Sequence, residues 1–373
     1  MMMLLAPPLP GSGRARPCSS EIVDVSDAAI PEPMLPLLAT LRPEALTWTT
    51  PRSPSADLVA VAADTLRAWE EMGGDTASGL PIAEVGAVDT TLRWIVRVGA
   101  EDAATGADRL ADPAFLTRCL ATSRWVPDVK REGARLRLTR YLVYSVTGSA
   151  SSTGLFQFPL WSLPHDEAGL DPAAAEAKRA ELDRYRYTRQ DVASGVYREG
   201  GAAAGHADPL VWLTHPDHEQ ALLQGTVAVT EGGGTRLYNV HRNNGIPYDK
   251  GERDTTKQRG YWYFRAIDAV RGWAQEPVRG PELRAGVAVA GDLEHIGFGR
   301  LLALKSADGL RLVVVADTGG AFVDNLHQLD LFTGIHPSAA AFTAATGSIG
   351  DTAAAWAVVP RGTPVDWQGL FGR

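Results

Sequence analysis

The C-terminal third of the chain is built from short apolar segments separated by glycine and aspartate turns, and this pattern constrains the fold most. Strands are predicted there at residues 287–290, 301–305, 310–316 and 354–359. Further strands are predicted at residues 135–144, 155–161, 210–213, 222–230 and 235–241. Many short strands at this spacing are typical of a β-barrel, so we expect a mainly β fold.

The first part of the chain differs, because its apolar residues recur at helical spacing. This spacing predicts helices at residues 56–73, 90–98 and 111–121. The third helix is expected to begin with Asp112 as N-cap and Pro113 in its first turn. An Ala-rich stretch at residues 173–185 predicts a further, peripheral helix. Residues 1–50 are rich in Pro, Ser and Ala, and we expect a flexible tail or a degenerate signal segment.

Composition excludes several classes of function. The 373 residues carry a net charge of −8, which argues against a nucleic-acid partner because phosphate binding needs a basic surface. No stretch approaches the roughly 20 apolar residues of a membrane span. The two cysteines are too few for a disulfide framework, and Cys119 is expected to be a buried core residue. His215 and His218 lack a third metal ligand nearby and are assigned to an exposed loop, so no metal and no cofactor is predicted.

Three aspartates accompany the apolar strands of the C-terminal third. Asp317 ends one strand and is followed by Gly319 and Gly320, which allow the backbone to turn tightly and approach a ligand. Asp330 has apolar neighbours on both sides, and Asp292 follows another apolar run. In a barrel the three acids could converge on one groove, although each alone could also be an ordinary turn or cap residue.

Converging acids of this kind are suited to cleaving a glycosidic bond. The leaving oxygen must be protonated, so one carboxyl has to keep its proton near neutral pH. Apolar surroundings raise a carboxyl pKa, and a second carboxylate nearby raises it further. Asp330, flanked by Leu329, Leu331 and Phe332, fits this role best. Asp317 is then the companion that orients the site or forms a hydrogen bond within it.

Motifs around these acids resemble those of a known family. Asp317-Thr-Gly-Gly-Ala, followed by Leu329-Asp-Leu-Phe, resembles the three-aspartate (3D) module of the lytic murein transglycosylase A family. Asp292 occupies the place of the module's first aspartate, and Ile296-Gly-Phe-Gly is similar to the I-P-L-G turn that follows it. Upstream matches occur in family order, and the resemblance covers roughly residues 140–360.

The upstream matches are four short segments that occur in the same order as in the family. Leu223-Gln-Gly-Thr resembles the family's Q-G-S-G strand, and Asn244-Gly-Ile-Pro-Tyr is similar to its N-G-x-P-Y. Asp208-Pro-Leu-Val-Trp-Leu resembles the segment before Q-G-S-G, and Tyr261-Trp-Tyr-Phe-Arg resembles a later strand.

The resemblance implies a double-psi β-barrel with an inserted second β-domain. The barrel would comprise residues 51–149 and 262–373, with the N-terminal helices and the 3D module at residues 284–335. The inserted domain would comprise residues 150–261, and a glycan groove would run between the two. No partner other than peptidoglycan glycan strands is implied.

The resemblance also implies a reaction and a set of site residues. Asp330 would be the general acid and base that cleaves the MurNAc-β-1,4-GlcNAc bond of peptidoglycan and forms 1,6-anhydro-MurNAc, with Asp317 assisting. The implied substrate-binding residues are Asp292, Gln224, Asn244, Tyr248, Gly319 and Gly320. A periplasmic or envelope location, with a possible envelope anchor, follows from the substrate rather than from residues 1–20.

Departures from the family pattern leave two alternatives open. The family's G-Y-[FY]-x-P segment is not recognisable near Tyr141, and Thr226 and Val227 replace the last two residues of Q-G-S-G. These changes fall in the predicted groove. The chain could therefore be a β-1,4-glycan hydrolase of the endoglucanase-like barrel type, or a catalytically impaired protein that binds wall glycan.

Overall fold

The computed structural model describes residues 40–71, 85–128, 133–247, 249, 251–252, 254, 257–274, 279–319, 322 and 325–364. The strands are β1 Thr40–Pro43, β2 Leu120–Val126, β3 Leu136–Thr147, β4 Phe158–Trp161, β5 Pro209–Leu213, β6 Thr226–Glu231, β7 Gly234–Asn243, β8 Trp262–Ile267, β9 Ala288–Ala290, β10 Leu301–Ser306, β11 Gly309–Asp317, β12 Gln328–His336 and β13 Thr352–Pro360. The α-helices are α1 Ser55–Glu71, α2 Val85–Thr105, α3 Pro113–Cys119, α4 Pro172–Ala177, α5 Arg189–Ala193, α6 His215–Gln224, α7 Leu293–Ile296 and α8 Ala339–Thr346.

Six strands form a closed ring at the centre of the protein. Their order is β13, β10, β11, β9, β12 and β3, and the ring closes because the start of β3 pairs with β13. The β9–β11 and β3–β12 pairs are parallel, and the other pairs are antiparallel. Apolar side chains of these strands, such as Val289, Val313 and Leu331, form the main core. The fold is thus mixed α/β with a large mixed sheet, and double-psi connectivity stays a prediction.

The N-terminal helices cover one side of this barrel. In α1, residues Leu58, Val61 and Trp69 are buried at the spacing of one helix face. The α1 helix packs against β11, and α2 packs against β10 and β13. The predicted start of α3 is confirmed, since Asp112 accepts a hydrogen bond from the backbone N–H of Ala114. The N-terminal helical segment is therefore part of the barrel's packing.

A second hydrophobic core lies beside the barrel. The last four residues of β3 pair with β6, which continues the sheet through β7 to β8, and β4 pairs separately with β5. Aromatic side chains such as Trp161, Tyr197 and Phe264 fill this core. Strand β8 lies just beyond the predicted boundary at residue 261, yet it belongs to this core. The exact domain limits stay a prediction.

Three secondary-structure predictions were wrong in part. Residues 40–50 are not a tail, because β1 pairs with β2 and both Leu46 and Trp48 are buried in the main core. The start of the predicted strand at 222–230 belongs to helix α6, which ends where Gly225 adopts a left-handed conformation with φ of 76°. The Ala-rich stretch at 173–185 forms only the short helix α4 and a later single turn.

The segment with His215 and His218 is also helical rather than a loop. Thr214 caps α6 by accepting a hydrogen bond from the N–H of Asp217, and Pro216 lies in the first turn, where its missing N–H costs nothing. Both histidine rings lie close to Phe158. The pair therefore packs against β4.

Cys119 is buried in the main core, as the sequence predicts. It is disulfide-bonded, which the sequence analysis did not predict. Within the described residues, no helix has the length and hydrophobicity needed to span a lipid bilayer.

Candidate active site

Asp317 and Asp330 flank the same residue on the barrel wall. Strand β9 lies between β11 and β12, and Ala290 at its end pairs with Asp317 on one side and with Asp330 on the other. A register shift in β11 between Val315 and Asp317 places Asp317 opposite Ala290. The barrel topology thus brings together two acids that are 13 residues apart in sequence.

Asp317 is held by a tyrosine from strand β3, which lies beyond β9 and β12 in the ring. The Tyr141 hydroxyl donates a hydrogen bond of 2.8 Å to Asp317 Oδ2, and the Tyr141 ring packs against Phe332 at 5.2 Å between centroids. Burial raises the pKa of Asp317 to about 7, although the hydrogen bonds from Tyr141 and Thr318 oppose the rise. Burial and the carboxyl of Asp317 also raise the pKa of Tyr141 well above its usual range, so the phenol stays protonated.

Asp330 lies on the face of β12 opposite to Leu329 and Leu331, which point into the main core. Its Oδ1 atom is buried and has no hydrogen-bond partner among the described residues. Burial raises the pKa of Asp330 to about 6, while Thr139 and two arginines of β3 lower it. An unpaired buried carboxyl oxygen favours the neutral acid, since a charge there would lack compensation.

The two acids influence each other electrostatically. Asp330 has the lower pKa of the two and ionises first, and its negative charge then raises the pKa of Asp317. Between about pH 6 and pH 7 the pair therefore retains about one proton, which lies mainly on Asp317. This property suits a site that has to donate a proton and later take one back.

Asp292 lies beside this pair but is almost fully buried. Its Oδ2 atom is 2.8 Å from His295 Nδ1 and accepts a 2.9 Å hydrogen bond from the N–H of Asn325, while Oδ1 accepts one from the N–H of His295. Its side chain is only 2% exposed. The geometry favours a role in holding α7 and the segment before β12, and direct contact with a substrate stays a prediction.

The glycine with the closest packing at this site is Gly291, which the sequence analysis did not select. A Cβ at Gly291 would lie 2.9 Å from Leu329 Cδ2 and 3.1 Å from Ile296 Cδ1, so a larger residue there would have to displace these core side chains. At Gly319 an added Cβ would make only an ordinary contact with Phe322. Gly320 lies outside the described residues, so its predicted role is not tested.

The predicted glycan contacts in the second core differ in exposure. Gln224 is exposed at the end of α6 and is available to a ligand. Asn244 is fully buried, and its side chain bonds to the backbone of Tyr187, Arg259 and Tyr261. The geometry favours a loop-locking role for Asn244 over the predicted sugar contact. Tyr248 lies outside the described residues.

A cleft of about 600 Å³ opens at the far end of β3, between the barrel and the second core. Its wall includes Tyr144 and Thr147 of β3, Gln220 of α6 and Ser338 after β12. The two acids are not among the lining residues. Ser145, another residue of this wall, lies four residues beyond Tyr141 on the same face of β3, about 13 Å along the strand. An extended ligand lying along β3 could therefore reach both the cleft and the acid pair.

Strand β3 supplies the site residues that sequence reasoning missed. Its alternation is predicted, and that alternation places Arg137, Thr139 and Tyr141 on one face. Pairing of Thr139 with Asp330 brings this face to the acids. The register in which β3 and β12 pair cannot be read from local sequence, so the alternation of β3 did not identify these residues as part of the site.

No group of three or more potential metal ligands exists within the described part of the chain.

Replacing Tyr141 by phenylalanine should remove the hydrogen bond to Asp317 and keep the ring packing. Asp317 then loses a contact that favours its charged form, so its pKa should rise by up to about one unit. An NMR titration of the Asp317 carboxyl should show its pKa displaced upward, with the unfolding midpoint nearly unchanged. An unshifted pKa would mean that the Tyr141 hydrogen bond does not stabilise the charged form of Asp317.

Comparison with known proteins supports the fold. No protein-family model matches the chain, and no curated protein matches its sequence. Among solved structures, E. coli MltA with bound chitohexaose superposes with a TM-score of 0.56 at 14% identity, over 90% of this chain and 97% of that one. A membrane-bound lytic murein transglycosylase from Agrobacterium tumefaciens gives 0.58 at 17% identity, over 82% and 93%.

MltA from Neisseria gonorrhoeae gives a TM-score of 0.53 at 15% identity, over 83% of this chain and 89% of that one. The resemblance predicted from the motifs is thereby confirmed at the level of the fold. Over most of its length this chain has the fold of the MltA lytic transglycosylases.

Proposed function

We propose that this protein is a peptidoglycan lytic transglycosylase that cleaves the MurNAc-β-1,4-GlcNAc bond, with Asp330 as general acid and base. The observation that carries the proposal is the acid pair on either side of Ala290, with raised pKa values of about 7 for Asp317 and about 6 for Asp330. These values lie near neutral pH, where a group can both donate and accept a proton.

The reaction needs one proton to move out and one to return. Asp330 donates its proton to the glycosidic oxygen, so the C1–O4 bond breaks and GlcNAc leaves with a hydroxyl group. The ionised Asp330 then accepts the proton of the MurNAc O6 hydroxyl while O6 forms a bond to C1. The product is a 1,6-anhydro sugar, no water is consumed, and Asp330 ends protonated as it began.

Asp317 assists by controlling the charge of the site. Because Tyr141 fixes one of its oxygens, Asp317 holds a defined orientation beside Ala290. Because Asp317 has the higher pKa, it keeps its proton while Asp330 ionises, so between about pH 6 and pH 7 mainly one of the two carboxyls is charged. When Asp317 is neutral it leaves Asp330 free to ionise after proton donation.

Two further observations support a wall glycan as the substrate. The cleft at the end of β3 is lined by hydroxyl, amide and aromatic groups, which bind sugars by hydrogen bonds and stacking. The E. coli relative of the same fold has been crystallised with chitohexaose, a β-1,4-linked glycan. Such a substrate implies a location in the periplasm or cell envelope, and a disulfide at Cys119 is compatible with an oxidising compartment.

Analysis of digestion products tests the proposal directly. Purified peptidoglycan is incubated with the protein, and the muropeptides are examined by mass spectrometry. We expect ends with 1,6-anhydro-MurNAc, which are lighter by one water molecule than reducing ends. Reducing ends alone would identify a hydrolase, and an absence of products together with tight binding would identify a glycan-binding protein.

A further inference from the structure

Arg137 stands out among the charged residues around the acid pair. It lies on β3 two residues before Thr139, and Thr139 pairs directly with Asp330. Alternation along the strand places Arg137 on the same face as Thr139, about 7 Å away along β3. The side chain is exposed, whereas its neighbours Leu136 and Leu138 point into the core.

Other arginines of this region are already engaged. Arg140 bonds to the carbonyl of Gly350 and forms a 2.7 Å ion pair with Asp351. Arg135 bonds to Thr352 and to the carbonyl of Lys305. The structure records no side-chain hydrogen bond or ion pair between Arg137 and any other described residue. Its guanidinium is therefore free to bind a ligand at the edge of the site.

The pairing of β3 with β12 extends the face that carries Arg137 and Thr139 into a short row of polar groups. Gln328 pairs with Arg137 on the neighbouring strand β12 and donates a 3.0 Å hydrogen bond to Thr139 Oγ1. The row then continues to Asp330. A substrate whose scissile bond lies at Asp330 would thus place a flanking group beside Arg137.

The chemistry of the proposed substrate supplies such a group. MurNAc differs from GlcNAc by a lactyl ether, whose carboxyl group is free in peptide-free glycan and bears a peptide with further carboxylates in intact peptidoglycan. A guanidinium binds a carboxylate through two parallel hydrogen bonds. In a chain with a net charge of −8, an unpaired arginine here offers attraction that the overall charge does not.

We propose that Arg137 is a specificity-determining residue that binds the carboxylate carried by MurNAc and so distinguishes peptidoglycan from chitin-like glycans. This inference rests on the proposed function. It also links recognition to catalysis, because the positive charge of Arg137 lowers the pKa of Asp330. Pairing of Arg137 with a substrate carboxylate removes that effect and favours the protonated acid only on the correct substrate.

The test compares the affinities of three glycans in the Asp330→Asn background, where cleavage should be about 10³-fold slower. The ligands are peptide-bearing glycan strands, peptide-free strands with free lactyl carboxylates, and chitohexaose, which has neither. The variants are Arg137→Gln, Arg137→Lys, and Arg118→Gln as a control that removes an equally exposed charge from α3.

Arg137→Gln should weaken binding of carboxylate-bearing strands by about five- to tenfold relative to chitohexaose, and Arg137→Lys should weaken it less. Loss on the peptide-free strands assigns the contact to the lactyl carboxylate, and loss confined to peptide-bearing strands assigns it to the peptide. An equal loss on all three ligands, or no loss, would overturn the inference. If the parent protein binds none of them, the proposed function itself fails.

Discussion

Substitution of Asp330 by asparagine should reduce glycan cleavage by about 10³-fold while the protein remains folded. Asparagine has nearly the same shape but cannot donate a proton to the glycosidic oxygen, and general acid catalysis contributes roughly 10²- to 10⁴-fold to a rate. The folded state should be slightly more stable, because a buried carboxyl with a raised pKa is replaced by a neutral group. Release of anhydro-muropeptides, measured by mass spectrometry, gives the rate.

The matched control for this experiment is Asp108→Asn. Asp108 is exposed before a short helical turn, and its side chain makes no capping hydrogen bond. The Asp108→Asn substitution should leave the rate of glycan cleavage unchanged within about twofold. In the unmodified protein the rate should also fall as pH rises above about 6, because the free acid is lost. An Asp330→Asn protein with more than a tenth of the original activity would remove Asp330 from the reaction.

Substitution of Asp317 by asparagine should stabilise the protein at alkaline pH and not at acidic pH. The pKa of this carboxyl rises from 3.8 to about 7 on folding, so ionisation in the folded state becomes costly between about pH 4 and pH 7. Below about pH 4 the carboxyl is protonated in both the folded and the unfolded protein, and ionisation costs the folded state nothing. The stability that depends on the protonated carboxyl is then lost as pH rises through about 7. The substituted amide carries no charge and can still accept the Tyr141 hydrogen bond.

The expected gain is on the order of 2 kcal/mol at pH 8, less than the full pKa shift would give, because Asp317 is partly exposed. Denaturant unfolding at pH 4 and pH 8 measures it. Cleavage should fall by about 10²-fold in the same variant, since the site loses one of its two titratable carboxyls. A gain of equal size at both pH values would show that the effect comes from packing and not from ionisation.

The two acids were predictable because their signals are local. An apolar run that ends at Asp317, and an aspartate at position 330 among apolar residues, are visible in the sequence and agree with strands β11 and β12. The sequence analysis attributed the raised pKa of Asp330 to its apolar sequence neighbours, which is only partly correct. Leu329 and Leu331 lie on the opposite face of β12 and in the core. Burial of the carboxyl itself has the effect that the neighbours were expected to have.

What could not be predicted depends on contacts between distant segments. Tyr141 and Asp317 are 176 residues apart, and their hydrogen bond exists only because β3 and β12 pair in one particular register. Asn244 is a similar case, since its motif resembles a substrate contact but its amide satisfies the backbone of other loops. A sequence motif identifies a residue type, whereas burial decides whether a ligand can reach it.

Strand β3 belongs to both hydrophobic cores at once. Its first residues close the barrel, Tyr141 in its middle contacts Asp317, and its last four residues begin the sheet of the second core. The second core is therefore not a detachable module, because removing it would leave the end of this strand without its β6 partner. A change that displaces the second core would therefore also act on Tyr141 and on the orientation of Asp317.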